Sequence, residues 1–200
     1  LLKKGDADKF GEVLNQQREK NELLLYDVFD KVTLACDSLL HVVADLGKEK
    51  IVEWIWDLFP ILLIRRNVRG ETPLHVAARS KKSNSTIVKF ILSQYATMKS
   101  KHYEMKDKAI TRETNECEDT PLHQAVYSVH FDVVKEIFDQ DNDITYCLNK
   151  SKQSPLCLTV LNDNMKILNL MLQIPLLANQ PLSHCHASSP LHIALQQENI

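Results

Sequence analysis

Thr72-Pro73-Leu74-His75-Val76-Ala77-Ala78 is the stretch that decides the fold, because variants of it return along the chain. They stand as Ser38-Leu39-Leu40-His41, Thr120-Pro121-Leu122-His123, Ser154-Pro155-Leu156-Cys157 and Ser189-Pro190-Leu191-His192. The leucines Leu40, Leu74, Leu122, Leu156 and Leu191 lie 34, 48, 34 and 35 residues apart. Three of the four gaps share one period, and the fourth is that period plus an insertion. Self-similarity at such a period marks a stack of helical repeats rather than a single globular core.

Each place in the motif has a physical reason. Ser38, Thr72, Thr120, Ser154 and Ser189 can turn a side-chain oxygen onto an orphan backbone N–H of the first helical turn. Proline in the next place has a preset φ and lacks only a donor that would be unpaired anyway. Leucine follows as a buried anchor. Two places after the histidine position come Val43, Ala77, Ala125, Thr159 and Ala194, whose modest size lets neighbouring helices approach. These segments are predicted inner helices. A second pattern runs in phase, with apolar pairs Ile51, Val52, Ile55, Trp56, then Ile87, Val88, Ile91, Leu92, then Val133, Val134, Ile137, Phe138, and Ile167, Leu168, Met171, Leu172. That spacing gives one broad apolar stripe on an amphipathic outer helix, joined to its inner partner by a short turn such as Asp45-Leu46-Gly47-Lys48. One such pair cannot bury both apolar faces alone and requires a neighbour on each side.

Arg69-Gly70-Glu71 followed by Thr72–Ala78 closely resembles the ankyrin repeat, whose signature T-P-L-H-x-A-A opens a helix pair ending in a β-turn finger. The resemblance extends over nearly the whole chain. It is most specific at Thr72–Ala78 and Thr120–Val126; Leu39 replaces proline in the first copy, Cys157 replaces histidine in the fourth, and Val129 stands where Gly47 stands earlier. It implies an all-α solenoid of stacked helix pairs with β-turn fingers, residues 1–200 forming one array of about five to six repeats. It further implies that His41, His75, His123 and His192 hydrogen-bond between loop and helix. Asn67, Asn115 and Asn149 each lie five residues before a cap. With that finger the chain looks most like plant ankyrin proteins of the accelerated-cell-death type, in which such an array precedes a membrane-spanning C-terminal half.

Both ends read as cut. Leu2, Gly5, Phe10, Val13 and Leu14 match Ala44, Gly47, Val52, Ile55 and Trp56, and residue 200 falls where an outer helix should begin. The first and last repeats are therefore expected to be incomplete, within a longer protein. The segment from Leu14 to Ser38 is longer than the regular spacing. The insertion at Ala96–Thr114, polar and carrying Lys99, Lys101, Lys106 and Lys108, reads as an exposed, mobile finger loop.

Composition narrows the function. A net charge of −2 gives no general reason to expect nucleic acid. Five scattered cysteines without a C-x-x-C suit free thiols in a reducing compartment. The most apolar stretch, Ile51–Ile64, is interrupted by Glu53, Asp57 and Pro60 and is too short to cross a bilayer, so membrane attachment would come only from segments outside these residues. His184-Cys185-His186 lacks a second ligand cluster at metal-site spacing, and no metal or cofactor is expected. Four glycines allow no phosphate-cradling loop, and no hydrolase or kinase motif can be written.

Binding is what remains. In such an array the finger tips and exposed inner-helix residues line a concave face. By register these are Val68, Arg69 and Glu71, then Glu116, Cys117 and Glu118, then Lys150, Lys152 and Gln153, with Arg79, Ser80, Tyr127, Ser128, Leu161 and Asn162 on the inner helices. Tyr127 is the best anchor candidate, since aromatics carry disproportionate energy at interfaces. Residues 60–110 hold eleven Lys/Arg against three Asp/Glu, net +8, whereas residues 111–145 hold two against nine, net −7. A basic zone beside an acidic one would orient a complementary partner. The expectation is a nonenzymatic protein-recognition module on the cytoplasmic side of a membrane, in defence or cell-death signalling, with self-association possible. The alternative is the regulatory ankyrin array of a larger enzyme or ion channel.

Overall fold

A computed structural model describes residues 29–30, 32–82, 85–101 and 109–173. Among them are eight α-helices and no strand: α1 Leu39–Asp45, α2 Glu49–Leu58, α3 Pro73–Arg79, α4 Ser85–Lys101, α5 Pro121–Tyr127, α6 Phe131–Gln140, α7 Pro155–Leu161 and α8 Met165–Met171. The odd-numbered inner helices all span 7 residues. They stack in chain order, α1 on α3, α3 on α5 and α5 on α7, while α2, α4, α6 and α8 form the outer row. Leu40, Leu74 and Leu122 have no exposed surface and Leu156 retains only 5%, so the aligned leucines run as a spine through one continuous core. Ala77, Ala125 and Thr159, also fully buried, are the small residues that allow the inner row to close up. No described helix is long and apolar enough to cross a membrane.

Between the outer helix of one repeat and the next cap, the chain makes a 3-10 turn, Pro60–Ile64, Ile110–Arg112 or Asn142–Tyr146. Leu62, Ile110 and Ile144, each ten residues before a cap, plug the bottom of the core. A finger follows each turn. Residues 33–37, 67–71, 115–119 and 149–153 are the four described fingers.

Two helical expectations change. The insertion is not a loop from Ala96 onward, because α4 continues to Lys101. Tyr95 and Met98 extend the apolar stripe of Ile87, Val88, Ile91 and Leu92 by a further turn, and both are buried; Lys99 and Lys101 ride on that helix. Ile110 and Thr111 are buried as well, whereas Lys106 and Lys108 lie outside the described residues. In α8 the helix ends at Met171, so Leu172 is past its end and exposed, and Leu170 takes the buried place. Ser189, Leu191, His192 and the first repeat's partners before Phe29 also fall outside the described residues.

Among the described residues left-handed backbone recurs in all four fingers and after three of the four inner helices. Cys36, Gly70, Glu118 and Lys152, each two residues before a cap, have φ of 53°, 70°, 60° and 59°. After the inner helices, Gly47, Val129 and Asp163 have φ of 66°, 58° and 50°. Gly70 is fixed by contact too, since a Cβ there would sit 3.2 Å from the Glu116 nitrogen of the next finger. Val129 is a β-branched residue held where the left-handed conformation costs about 1–2 kcal/mol, and its exposed side chain gains little in return. Replacing it with glycine restores some unfolded-state entropy, about 0.5–1 kcal/mol. Val129→Gly is therefore expected to stabilise the fold by roughly 1 kcal/mol and raise the melting temperature by about 2–4 °C; thermal unfolding followed by circular dichroism checks this, and a lower melting temperature would refute it.

Candidate partner-binding site

The motif residues are spent on holding repeats together. In the first three repeats the imidazole Nδ1 accepts from the cap's backbone N–H, at 3.1 Å for Ser38–His41, 3.1 Å for Thr72–His75 and 3.0 Å for Thr120–His123. With Nδ1 an acceptor, the proton sits on Nε2, which donates to the next repeat: His41 to Glu71 O at 2.9 Å, His75 to Asp119 O at 3.1 Å and His123 to Gln153 O at 3.1 Å. Each ring thus bridges its own cap to the carbonyl just before the following cap. Burial disfavours the imidazolium and lowers all three pKa values, that of His75 to about 4. In the fourth repeat Ser154 Oγ still accepts from the Cys157 backbone at 3.2 Å, but the position has no imidazole to reach onward.

Asparagine makes the fingers. Asn67 Oδ1 accepts from the backbone of Arg69 at 2.9 Å and Glu71 at 3.0 Å, and Asn115 Oδ1 from Cys117 at 2.9 Å and Asp119 at 3.0 Å. Asn149 Oδ1 accepts from Gln153 N at 3.0 Å. The amide of Asn67 then donates back to Asp37 at 2.7 Å, and that of Asn149 to Asp119 at 2.8 Å. One further backbone bond joins each tip to the one before: Val68 N to Ala35 O at 3.0 Å, Glu116 N to Arg69 O at 2.9 Å and Lys150 N to Cys117 O at 2.9 Å. The tips consequently form a tied row rather than four independent loops.

Several candidate binding residues turn out to belong to this framework. Glu71 is only 4% exposed. Its carboxylate pairs with Arg69 at 2.8 Å and Arg79 at 3.2 Å, and accepts from Asn67 at 3.1 Å, so it is a buried junction within the array. Ser80 is buried and its hydroxyl donates to Asp45 O at 2.6 Å; half-buried Ser128 does the same to Arg79 O at 2.7 Å. These serines hook the end of one inner helix onto the previous one. Half-buried Gln153 offers its carbonyl to His123. The sequence could not show this, because position in the register fixes neither side-chain direction nor partner.

What stays at the surface is a smaller set. Val68, Arg69, Glu116, Cys117, Glu118, Lys150 and Lys152 are exposed on the tips, with Tyr127 and Asn162 at the ends of α5 and α7 and Leu161 half-buried beside them. Tyr127 is part exposed and part packed: 43% of it is exposed, while its hydroxyl accepts from Asn149 at 3.2 Å. Leu34, fully exposed on the first finger, escaped the sequence reading. Its place four residues before Ser38, equivalent to Val68, Glu116 and Lys150, is the signal that would have found it.

The division of charge is partly structural. Arg65 pairs back to Asp30 at 2.6 Å, Arg66 forward to Glu113, and Arg112 forward to Asp141 at 2.7 Å and Asp143 at 3.2 Å. Burial works against ionised Asp141, but hydrogen bonds from Arg112 and Thr111 and the guanidinium charge hold its pKa below the usual carboxylate value. Burial pushes the Cys147 thiol up, away from thiolate chemistry. No cluster of three or more His, Cys, Asp or Glu suited to a metal occurs among the described residues; His184, Cys185 and His186 lie outside them.

Residues 69–102 match the family model of the ankyrin repeat. No curated protein matches the chain. With the stacked helix pairs, capped inner helices and fingers described above, this makes the fold an all-α ankyrin-repeat solenoid, an architecture that serves protein–protein interaction.

Proposed function

We propose that this array is a nonenzymatic recognition module that grips a protein partner with its row of finger tips and the adjoining ends of α5 and α7, on the concave face of the solenoid. One observation carries the reading. The places that repeat in sequence are buried and bonded to each other, whereas the equivalent tip places Val68, Glu116 and Lys150 are exposed, chemically different and held in a fixed row by backbone hydrogen bonds. A rigid scaffold with variable exposed tips suits selective binding, because little ordering entropy is lost on association. Both ring nitrogens of His41, His75 and His123 are engaged in the scaffold, which leaves those imidazoles no role as general bases.

Affinity capture from a cell lysate with Arg69→Ala/Tyr127→Ala beside the unaltered chain tests the site. Loss of captured protein by a chain that still unfolds cooperatively is expected, its melting temperature somewhat lowered because Arg69 also pairs with Glu71 and Tyr127 accepts from Asn149; truncating a central aromatic and an arginine costs on the order of 2–4 kcal/mol at an interface, roughly 30-fold or more in affinity. Capture should also weaken as salt is raised, since Arg69, Glu116 and Lys150 are exposed charges. Equal capture by both chains would overturn the assignment. The finer reading, a cytosolic array of a larger plant membrane protein in defence or cell-death signalling, rests on the resemblance of the Asn-bearing finger alone; hydrophobic spans in sequence following residue 200 are its test.

A further inference from the structure

The exposed charges of the third and fourth fingers are opposite and equal in number, two acidic and two basic. Glu116 and Glu118 flank Cys117 on one tip, Lys150 and Lys152 flank Ser151 on the next, and all four charged side chains are exposed. The two tips are locked side by side by the Lys150 N to Cys117 O hydrogen bond of 2.9 Å. Their backbones are alike too, with φ of 60° at Glu118 and 59° at Lys152. None of the four takes part in an ion pair among the described residues, although the neighbouring arginines are satisfied by carboxylates within the array.

We infer that these two fingers form a self-complementary surface through which a second copy of this chain docks about a two-fold axis running between them. The symmetry follows from the order of the charges. An isologous contact requires that if one patch meets another, the second meets the first on the partner copy. A two-fold axis placed between an acidic and a basic tip sets the acidic finger of each copy on the basic finger of the other, so that every charge finds its opposite twice over. The net charge of −2 on the whole chain opposes such an approach only weakly. Two short turns from each copy bury far less than the roughly 1,200 Å² of a stable interface. The dimer is therefore weak, rapidly exchanging and sensitive to salt.

The inference rests on the finger row being the binding face, and its test uses this chain alone. Analytical ultracentrifugation from micromolar to millimolar concentration is expected to show a monomer–dimer equilibrium that weakens at least tenfold as salt rises from about 0.05 to 0.5 M. Glu116→Lys/Glu118→Lys and Lys150→Glu/Lys152→Glu should each abolish self-association. Mixing the two double variants should restore it as a heterodimer, and so should placing all four substitutions in one chain. The swaps exchange residue types between matching backbone positions, so folding is preserved, which the melting temperature verifies. A monomer under every condition, or association indifferent to the reversals, overturns the self-pairing. A monomeric chain that still captures another protein through Arg69 and Tyr127 would leave the recognition reading standing, whereas a dimer that captures nothing would defeat only that reading.

Discussion

His75→Ala is expected to lower the unfolding free energy by about 3–5 kcal/mol, the sum of a buried hydrogen-bonded junction and the cavity it leaves. The ring is fully buried between the second and third repeats. Its removal strands the Thr72 N–H, the Thr72 hydroxyl and the Asp119 carbonyl, which it holds at 3.1, 2.8 and 3.1 Å. Because stability in a repeat array depends on nearest-neighbour interfaces, this one cut weakens the coupling of the α1–α3 half to the α5–α7 half. Against a total of about 5–15 kcal/mol for an ordinary domain, the loss should either unfold the chain or split its unfolding into two steps. Urea denaturation monitored by circular dichroism measures it. Half-buried His130, at the start of α6 and outside the motif, serves as comparison: its alanine variant should change stability by less than about 1 kcal/mol. A His75→Ala chain as stable as that one would remove the bridging histidines from any account of cohesion.

The second large effect is loss of stability in mild acid. His75 has a folded-state pKa of about 4, against an ordinary value of 6.5, because burial disfavours its charged form more strongly than the Asp119 carbonyl favours it. His41 and His123 are lowered for the same first reason, burial. A base whose pKa is lowered on folding stabilises the protein fully above its unfolded pKa. Between pH 6.5 and 4 the unfolded chain binds more protons than the folded one, so stability falls as pH falls through that window. His75 alone accounts for a loss of about 2 kcal/mol by pH 5 and about 3 kcal/mol by its folded pKa. Protonation also places a second N–H on Nδ1, facing the N–H it accepts from. Burial counts against ionised Asp37, yet hydrogen bonds from Asn67 and Thr33 lower its pKa; Asp141, lowered through Arg112 and Thr111, behaves alike. Both lose their contributions at more acid pH, below the ordinary carboxylate value, so the two classes separate along the pH axis. Urea titrations at pH 7.5, 6.5, 5.5 and 5.0 (about one unit or less apart, to sample the slope) should show the decline, shallower in His75→Ala. A flat profile between pH 7.5 and 5 would contradict it.

By itself the sequence determined the architecture. The spacing of Leu40, Leu74, Leu122 and Leu156, the hydroxyl caps and the outer stripes sufficed, because a solenoid is set by short-range signals that recur and by contacts between neighbours only. The stripe also held the missed information on α4: Tyr95 and Met98 continue it, but a lysine-rich composition suggested a loop. The site was legible only in outline. Register located the tips, yet it could not distinguish Arg69, which is exposed, from Glu71 two residues on, whose carboxylate is drawn inward by Arg69, Arg79 and Asn67. Nor could it tell that Ser80 and Ser128 reach back to carbonyls 35 and 49 residues earlier. Those assignments depend on which polar group lies within about 3 Å once the repeats are stacked, a relation between repeats that no single repeat encodes. Periodicity fixed which apolar positions are buried and why; only the stacked structure decided which of the remaining polar side chains are spent inside the array and which stay exposed.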